Sequence, residues 1–147
     1  MLKNYTSDVP VSRTISRIEE IIARAKANDI TKAYDNGRLV ALCFGIYLPN
    51  GKLVTIRLPA NTDAVYEALM KKIHKPQTGT AARIREQAER TAWKLMQDWI
   101  EVQLSLVEMQ QAELAQVFLP YLWDGRQTLF QVWKKENYKA LPETCGT

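Results

Sequence analysis

Residues 80–109 limit the fold more than any other stretch, because two apolar stripes run through them side by side. Ala88, Ala92, Leu95, Trp99, Val102, Leu106 and Met109 recur at alternating spacings of four and three. Trp93, Met96, Ile100, Leu104 and Val107 run alongside them. Such spacing is helical, and two adjacent stripes make an apolar face too wide for a helix on the rim of a fold. A long central helix follows, and the rest of the chain must supply the surfaces that cover it. A strict coiled-coil seam would be narrower, so a homodimer through this helix is an alternative rather than the first expectation.

The segment before it supplies a sheet. Asn36-Gly37 is a two-residue hairpin signal, since a type I′ turn needs positive φ at both positions. It joins a short strand near Ile30–Tyr34 to a longer one near Leu39–Leu48, and Pro49-Asn50-Gly51 turns the chain into Leu53–Leu58. Val40, Leu42, Phe44, Ile46 and Leu48, with Val54, Ile56 and Leu58, are expected on the core face. Leu39, Ala41, Cys43, Gly45 and Tyr47, with Thr55 and Arg57, take the other face, where a later helix of the same chain is expected to cover them. Before the sheet, Ile15, Ile18, Ile22 and Ala25 mark a helix over about 12–27, with Asn28 as its left-handed terminator. After it, Thr62 is the expected N-cap of a second helix carrying Val65, Leu69 and Ile73, and Thr80 that of the long one. A last helical region from about Glu113 to Tyr138 breaks near Pro120 and Asp124-Gly125.

The fold class is therefore α+β: an N-terminal helix, a three-stranded antiparallel meander, then a helical C-terminal half. With 147 residues the chain fits one domain. Within it, 1–11 is an N-terminal arm, 12–74 an αβββα unit, 80–138 the helical part and 139–147 a tail. The αβββα order resembles the double-stranded RNA-binding domain in topology. That family carries a lysine cluster at the start of its last helix. Here the corresponding start reads Thr62-Asp63-Ala64-Val65, so no phosphate-binding residue carries over.

Charge is the feature that bears most on function. The net charge is only +4, but residues 71–94 hold seven basic side chains against two acidic ones. These are Lys71, Lys72, Lys75, Arg83, Arg85, Arg90 and Lys94, against Glu86 and Glu89. Arg83 and Arg85 sit at the start of the long helix, where they oppose the macrodipole, while Glu101 and Glu108 lie toward its other end. Local stability would prefer the reverse arrangement. A positive helix start entered through Gly79-Thr80 suits a polyanion, and the seven cations are the candidate contacts for DNA or RNA phosphates. The competing reading is a solvated basic face neutralised elsewhere in the fold, and Glu86 four residues before Arg90 favours it. Tyr34, Tyr47 and Trp123 are the aromatics placed to stack on bases, and they interleave poorly with the cations.

Enzymatic readings lack parts. His74 is the only histidine, which removes His-based metal sites and most triads. Cys43 lies in an apolar strand, and Asp98 with Glu101 share one helix face. Lys75-Pro76-Gln77-Thr78-Gly79-Thr80 is not a phosphate loop of the Walker type. No catalytic residue, metal site or cofactor is expected. No apolar run approaches the roughly 20 residues of a membrane span. The polar start Met1–Pro10 does not read as a signal peptide, and Cys43 and Cys145 read as lone thiols in a reducing cytoplasm.

Five segments carry a further resemblance: Val9-Pro10-Val11-Ser12-Arg13-Thr14-Ile15, Asp35-Asn36-Gly37, Glu86-Gln87-Ala88-Glu89-Arg90-Thr91-Ala92-Trp93, Asp98-Trp99 and Phe118-Leu119-Pro120-Tyr121. In these segments the chain resembles small proteins encoded by bacteriophages, prophages and other mobile elements. The resemblance implies a bacterial cytoplasm and a role in phage replication, recombination, regulation or evasion of host defence. It brings no active site with it. Two expectations follow: an accessory protein that binds nucleic acid, or a module that binds or inhibits a host or phage protein through the outer sheet face or the C-terminal aromatics.

Overall fold

The computed structural model describes residues 3–141; the tail residues 142–147, with Cys145, lie outside the described residues. In chain order the elements are α1 (Val11–Arg24), β1 (Asn28–Asp35), β2 (Arg38–Tyr47), β3 (Leu53–Pro59), α2 (Thr62–Met70) and α3 (Thr80–Glu108). They are followed by α4 (Leu114–Phe118), a 3-10 turn (Leu119–Tyr121) and α5 (Leu129–Lys135). The strands form one antiparallel sheet in the order β1-β2-β3. This is the α+β architecture read from the sequence.

The hairpin between β1 and β2 closes through Asn36 at φ 50° and Gly37 at φ 75°, as a type I′ turn requires. Four local expectations need correction. The left-handed residue that ends α1 is Lys26 (φ 66°), not Asn28, which opens β1. The Ala27 N–H reaches back to the Ile22 carbonyl at 3.0 Å, a closure that needs the reversal one residue earlier. The N-cap of α2 is Asn61, whose side chain accepts from the Ala64 N–H at 3.1 Å, so Thr62 is already helical. The N-cap of α3 is Gly79, left-handed at φ 85°, and the Thr80 hydroxyl instead accepts from the Gln77 N–H at 2.9 Å. In β2, Leu39 packs against the core although simple alternation places it outside. The β1–β2 register slips between Ala33 and Tyr34, opposite Ala41 and Leu39, and a one-residue slip exchanges faces.

The core lies between the sheet and two helices. Leu42, Phe44, Ile46, Ile56 and Leu58 meet Ile15, Ile18 and Ile22 of α1 and Ala92, Trp93 and Ile100 of α3. Phe118 of α4 closes one end, edge-on to Phe44 at 5.4 Å and to Trp99 at 6.1 Å. A smaller cluster of Leu69, Ile84 and Ala88 packs α2 against the N-terminal part of α3. The long helix is thus central, as its width demands. Its first stripe leaves the core toward the C-terminal end, where Val102 and Met109 are 58% and 72% exposed.

The outer sheet face is not covered by a later helix as expected. The Trp123 N–H donates to the Thr55 carbonyl at 2.9 Å, an edge pairing beside β3, and the Arg57 guanidinium lies 4.6 Å over the Trp123 ring. Trp123 shields Arg57 on that face, while Tyr47, Leu53 and Thr55 stay exposed. At the other edge, Lys32 of β1 shares the core-facing side and pairs with Glu19 of α1 at 3.1 Å. An inward charge and two register shifts are devices that discourage a further strand from adding there.

Candidate nucleic-acid interface

The seven cations of residues 71–94 fall into two groups. Lys71, Lys72 and Lys75 lie just past the end of α2, and Arg83 in the first turn of α3; all four are exposed. The connection 71–79 runs from the end of α2 to the start of α3, so these four side chains flank one short exposed linker, the corner. Residues 68–85 contain no Asp or Glu. None of the four makes an ion pair among the described residues. The α3 N-terminus opens at the same corner: Gly79 has no side chain to cap it, and the free N–H groups of the first turn add partial positive charge.

The other three cations are engaged within the fold. Arg85 bonds Asp63 of α2 at 2.6 Å and lies 3.9 Å over the Tyr66 ring. Arg90 donates from Nε to the Ser7 carbonyl at 3.2 Å and from a terminal nitrogen to Gln87 at 2.7 Å. Lys94 lies 3.9 Å from Asp98. Glu89, one of the two acidic residues of the segment, pairs with Arg38 of β2 at 3.4 Å. The competing reading of the sequence, neutralisation elsewhere in the fold, thus describes the helix shaft but not the corner.

Arg90 and its neighbours fasten the N-terminal arm, a role no periodicity announces. The Asn4 carbonyl accepts from the Thr91 hydroxyl at 3.0 Å, and the Ser7 carbonyl accepts from the Gln87 side chain at 2.9 Å. The Asn4 side chain donates to Asp98 at 2.8 Å, and the Lys3 ammonium lies 3.0 Å from the same carboxylate. Burial pushes the Asp98 carboxyl up, but the bonds from Asn4 and Lys3 and the charges of Lys3 and Lys94 outweigh it. Its pKa lies below the usual 3.8. Between those anchors, Tyr5 stands beside the corner, with the Lys72 ammonium 5.0 Å from its ring centroid. Sequence reasoning missed Tyr5 because it is remote in the chain from every cation it joins.

The aromatics singled out from the sequence lie elsewhere. Tyr34 and Tyr47 are exposed on strands, and Trp123 is stacked with Arg57. The paired carboxylates face different partners: Asp98 holds the arm, whereas Glu101 bonds Arg17 at 3.4 Å and Gln97 at 3.2 Å. The Cys43 thiol is free and accepts from Arg57 at 3.8 Å. Among the described residues, no group of three His, Cys, Asp or Glu side chains is placed to hold a metal ion. No helix there is long and apolar enough to cross a membrane. A cleft of about 540 Å³ lies between α1 and the C-terminal half of α3, lined by Arg17, Ile21, Arg24, Glu101, Leu104 and Glu108. No protein-family model, curated protein or solved structure matches this chain.

Proposed function

We propose that this chain is a non-catalytic accessory protein that binds nucleic acid, DNA or RNA, through the corner formed by Lys71, Lys72, Lys75 and Arg83. The resemblance to phage and mobile-element proteins supports such a role in a bacterial cytoplasm. One observation carries the reading: four exposed cations, none of them ion-paired among the described residues, flank an uncapped helix start. Exposed ammonium and guanidinium groups gain by displacing condensed counterions from a phosphate backbone, and this needs no base-specific contact. Arg85, Arg90 and Lys94 contribute field more than contacts, because their heads are already held.

The test is anisotropy of labelled duplex DNA, single-stranded DNA and RNA across a salt series. Four phosphate contacts give a plot of log affinity against log salt with a slope of about −3 to −4 on duplex. Lys75→Glu with Arg83→Glu should weaken binding by more than about tenfold at low salt and flatten that slope. Absence of binding to all three at low salt would sink the proposal.

A second reading has its own observation. Tyr47 and Leu53 on the outer sheet face, and Leu129 and Phe130 of α5, are exposed apolar side chains. Such surface suits a protein partner, as in an inhibitor of a host complex. It predicts partner binding that survives the double substitution at Lys75 and Arg83.

A further inference from the structure

The arm gives the corner a chemical preference within nucleic acids. Among the described residues, Tyr5 is the one aromatic residue whose ring the fold brings against an exposed cation of the corner, at 5.0 Å from Lys72. Tyr5 is 37% exposed, so the residue remains open to a ligand. It is also held in place. On one side Asn4 is fixed to Thr91 and Asp98, and on the other Ser7 is fixed to Gln87 and Arg90. An aromatic ring fastened on both flanks loses little freedom when a base stacks on it. A ring fully packed in the core would offer nothing, and a ring on a loose arm would have to be ordered first.

Resting on the nucleic-acid reading above, we infer that the corner takes single-stranded nucleic acid, with one unpaired base stacked on Tyr5. Lys72 and the neighbouring cations hold the flanking phosphates. A duplex keeps its bases stacked on each other, so it can use the cations but not the ring. Stacking on an aromatic side chain is tolerant of base identity, because every base has a π face. The preference is therefore for an unpaired strand rather than for a sequence. The Lys72 ammonium lies over one face of Tyr5 at 5.0 Å, so the base takes the other face; over Tyr66 the planar Arg85 guanidinium lies closer, at 3.9 Å, and is tied to Asp63.

The experiment uses the full chain with labelled oligothymidine and a mixed-sequence duplex of equal length. The expected result is tighter binding of the single strand at equal salt. Tyr5→Ala should weaken single-strand binding by about tenfold and leave duplex binding within about twofold. The salt slope should stay unchanged, because no phosphate contact is lost. Tyr5→Phe keeps the ring and should restore single-strand binding, which separates stacking from any fault in the arm. Equal affinity for the two nucleic acids, or wild-type single-strand affinity in Tyr5→Ala, overturns the inference and leaves the phosphate reading standing. If the wild-type chain binds neither, both fall together.

Discussion

The corner and the shaft of α3 carry similar numbers of cations and use them in opposite ways. At the corner, Lys71, Lys72, Lys75 and Arg83 project into solvent. Along the shaft, Arg85, Arg90 and Lys94 point at Asp63, at the Ser7 carbonyl and at Asp98. A surplus of five positive charges counted along residues 71–94 is therefore two populations, one free to meet an external anion and one spent on assembling the protein. The difference comes from position on the helix. The corner cations meet no carboxylate among the described residues, and Tyr5 of the arm stands beside Lys72, whereas the shaft is flanked by α2 and by the anchors of the arm.

This contrast is sharpened most by Arg90→Ala. It should cost about 1 kcal/mol, since it removes hydrogen bonds that a charged donor makes to Ser7 and Gln87. A thermal melt should show this as a fall of about 2–4 °C, while duplex affinity stays within about twofold. A large loss of duplex affinity with no loss of stability would place Arg90 among the free cations and break the distinction.

A smaller effect is expected from acid. The Asp98 carboxyl is held below its ordinary pKa, so its contribution is present above about pH 3.8, the unfolded value, and is lost as pH falls through the lower folded value. The Asn4 side-chain amide signals in an NMR titration should keep their bound positions down to about pH 4 and move only below it. Movement already between about pH 5 and 6 would mean that the arm is not held by this carboxylate. The smallest effect is that of Lys94→Ala. Its partner lies 3.9 Å away and already has Asn4 and Lys3, so the change should cost less than about 0.5 kcal/mol in a denaturant titration. A cost well above that figure would make Lys94 a structural member of the shaft equal to Arg90.

The parts of the fold that depend on local chemistry were legible in the sequence. Asn36-Gly37 announced the hairpin, and the spacing of Trp93, Met96, Ile100, Leu104 and Val107 announced the core side of α3. What escaped was set by contacts between distant residues. The slip at Leu39 depends on how β1 lies against β2, and no pattern within β2 reveals it. The same holds for the site. The cations were visible as a cluster, but Asp63 is 22 residues from Arg85 and Ser7 is 83 from Arg90. Which charges remain free is decided by those pairings. Tyr5 escaped for the same reason, because a polar arm without periodicity gives no sign that it docks.

The 29-residue helix α3 runs about 43 Å from end to end. The exposed Arg83 lies at its start, and the macrodipole of the helix is positive at the same end. The two fields add along one axis. A polyanion approached in dilute salt would exert a torque on the molecule and turn the corner forward before contact. Encounter would then be faster than chance orientation allows, and the gain would vanish once the Debye length, about 8 Å at physiological ionic strength, falls well below the length of the helix.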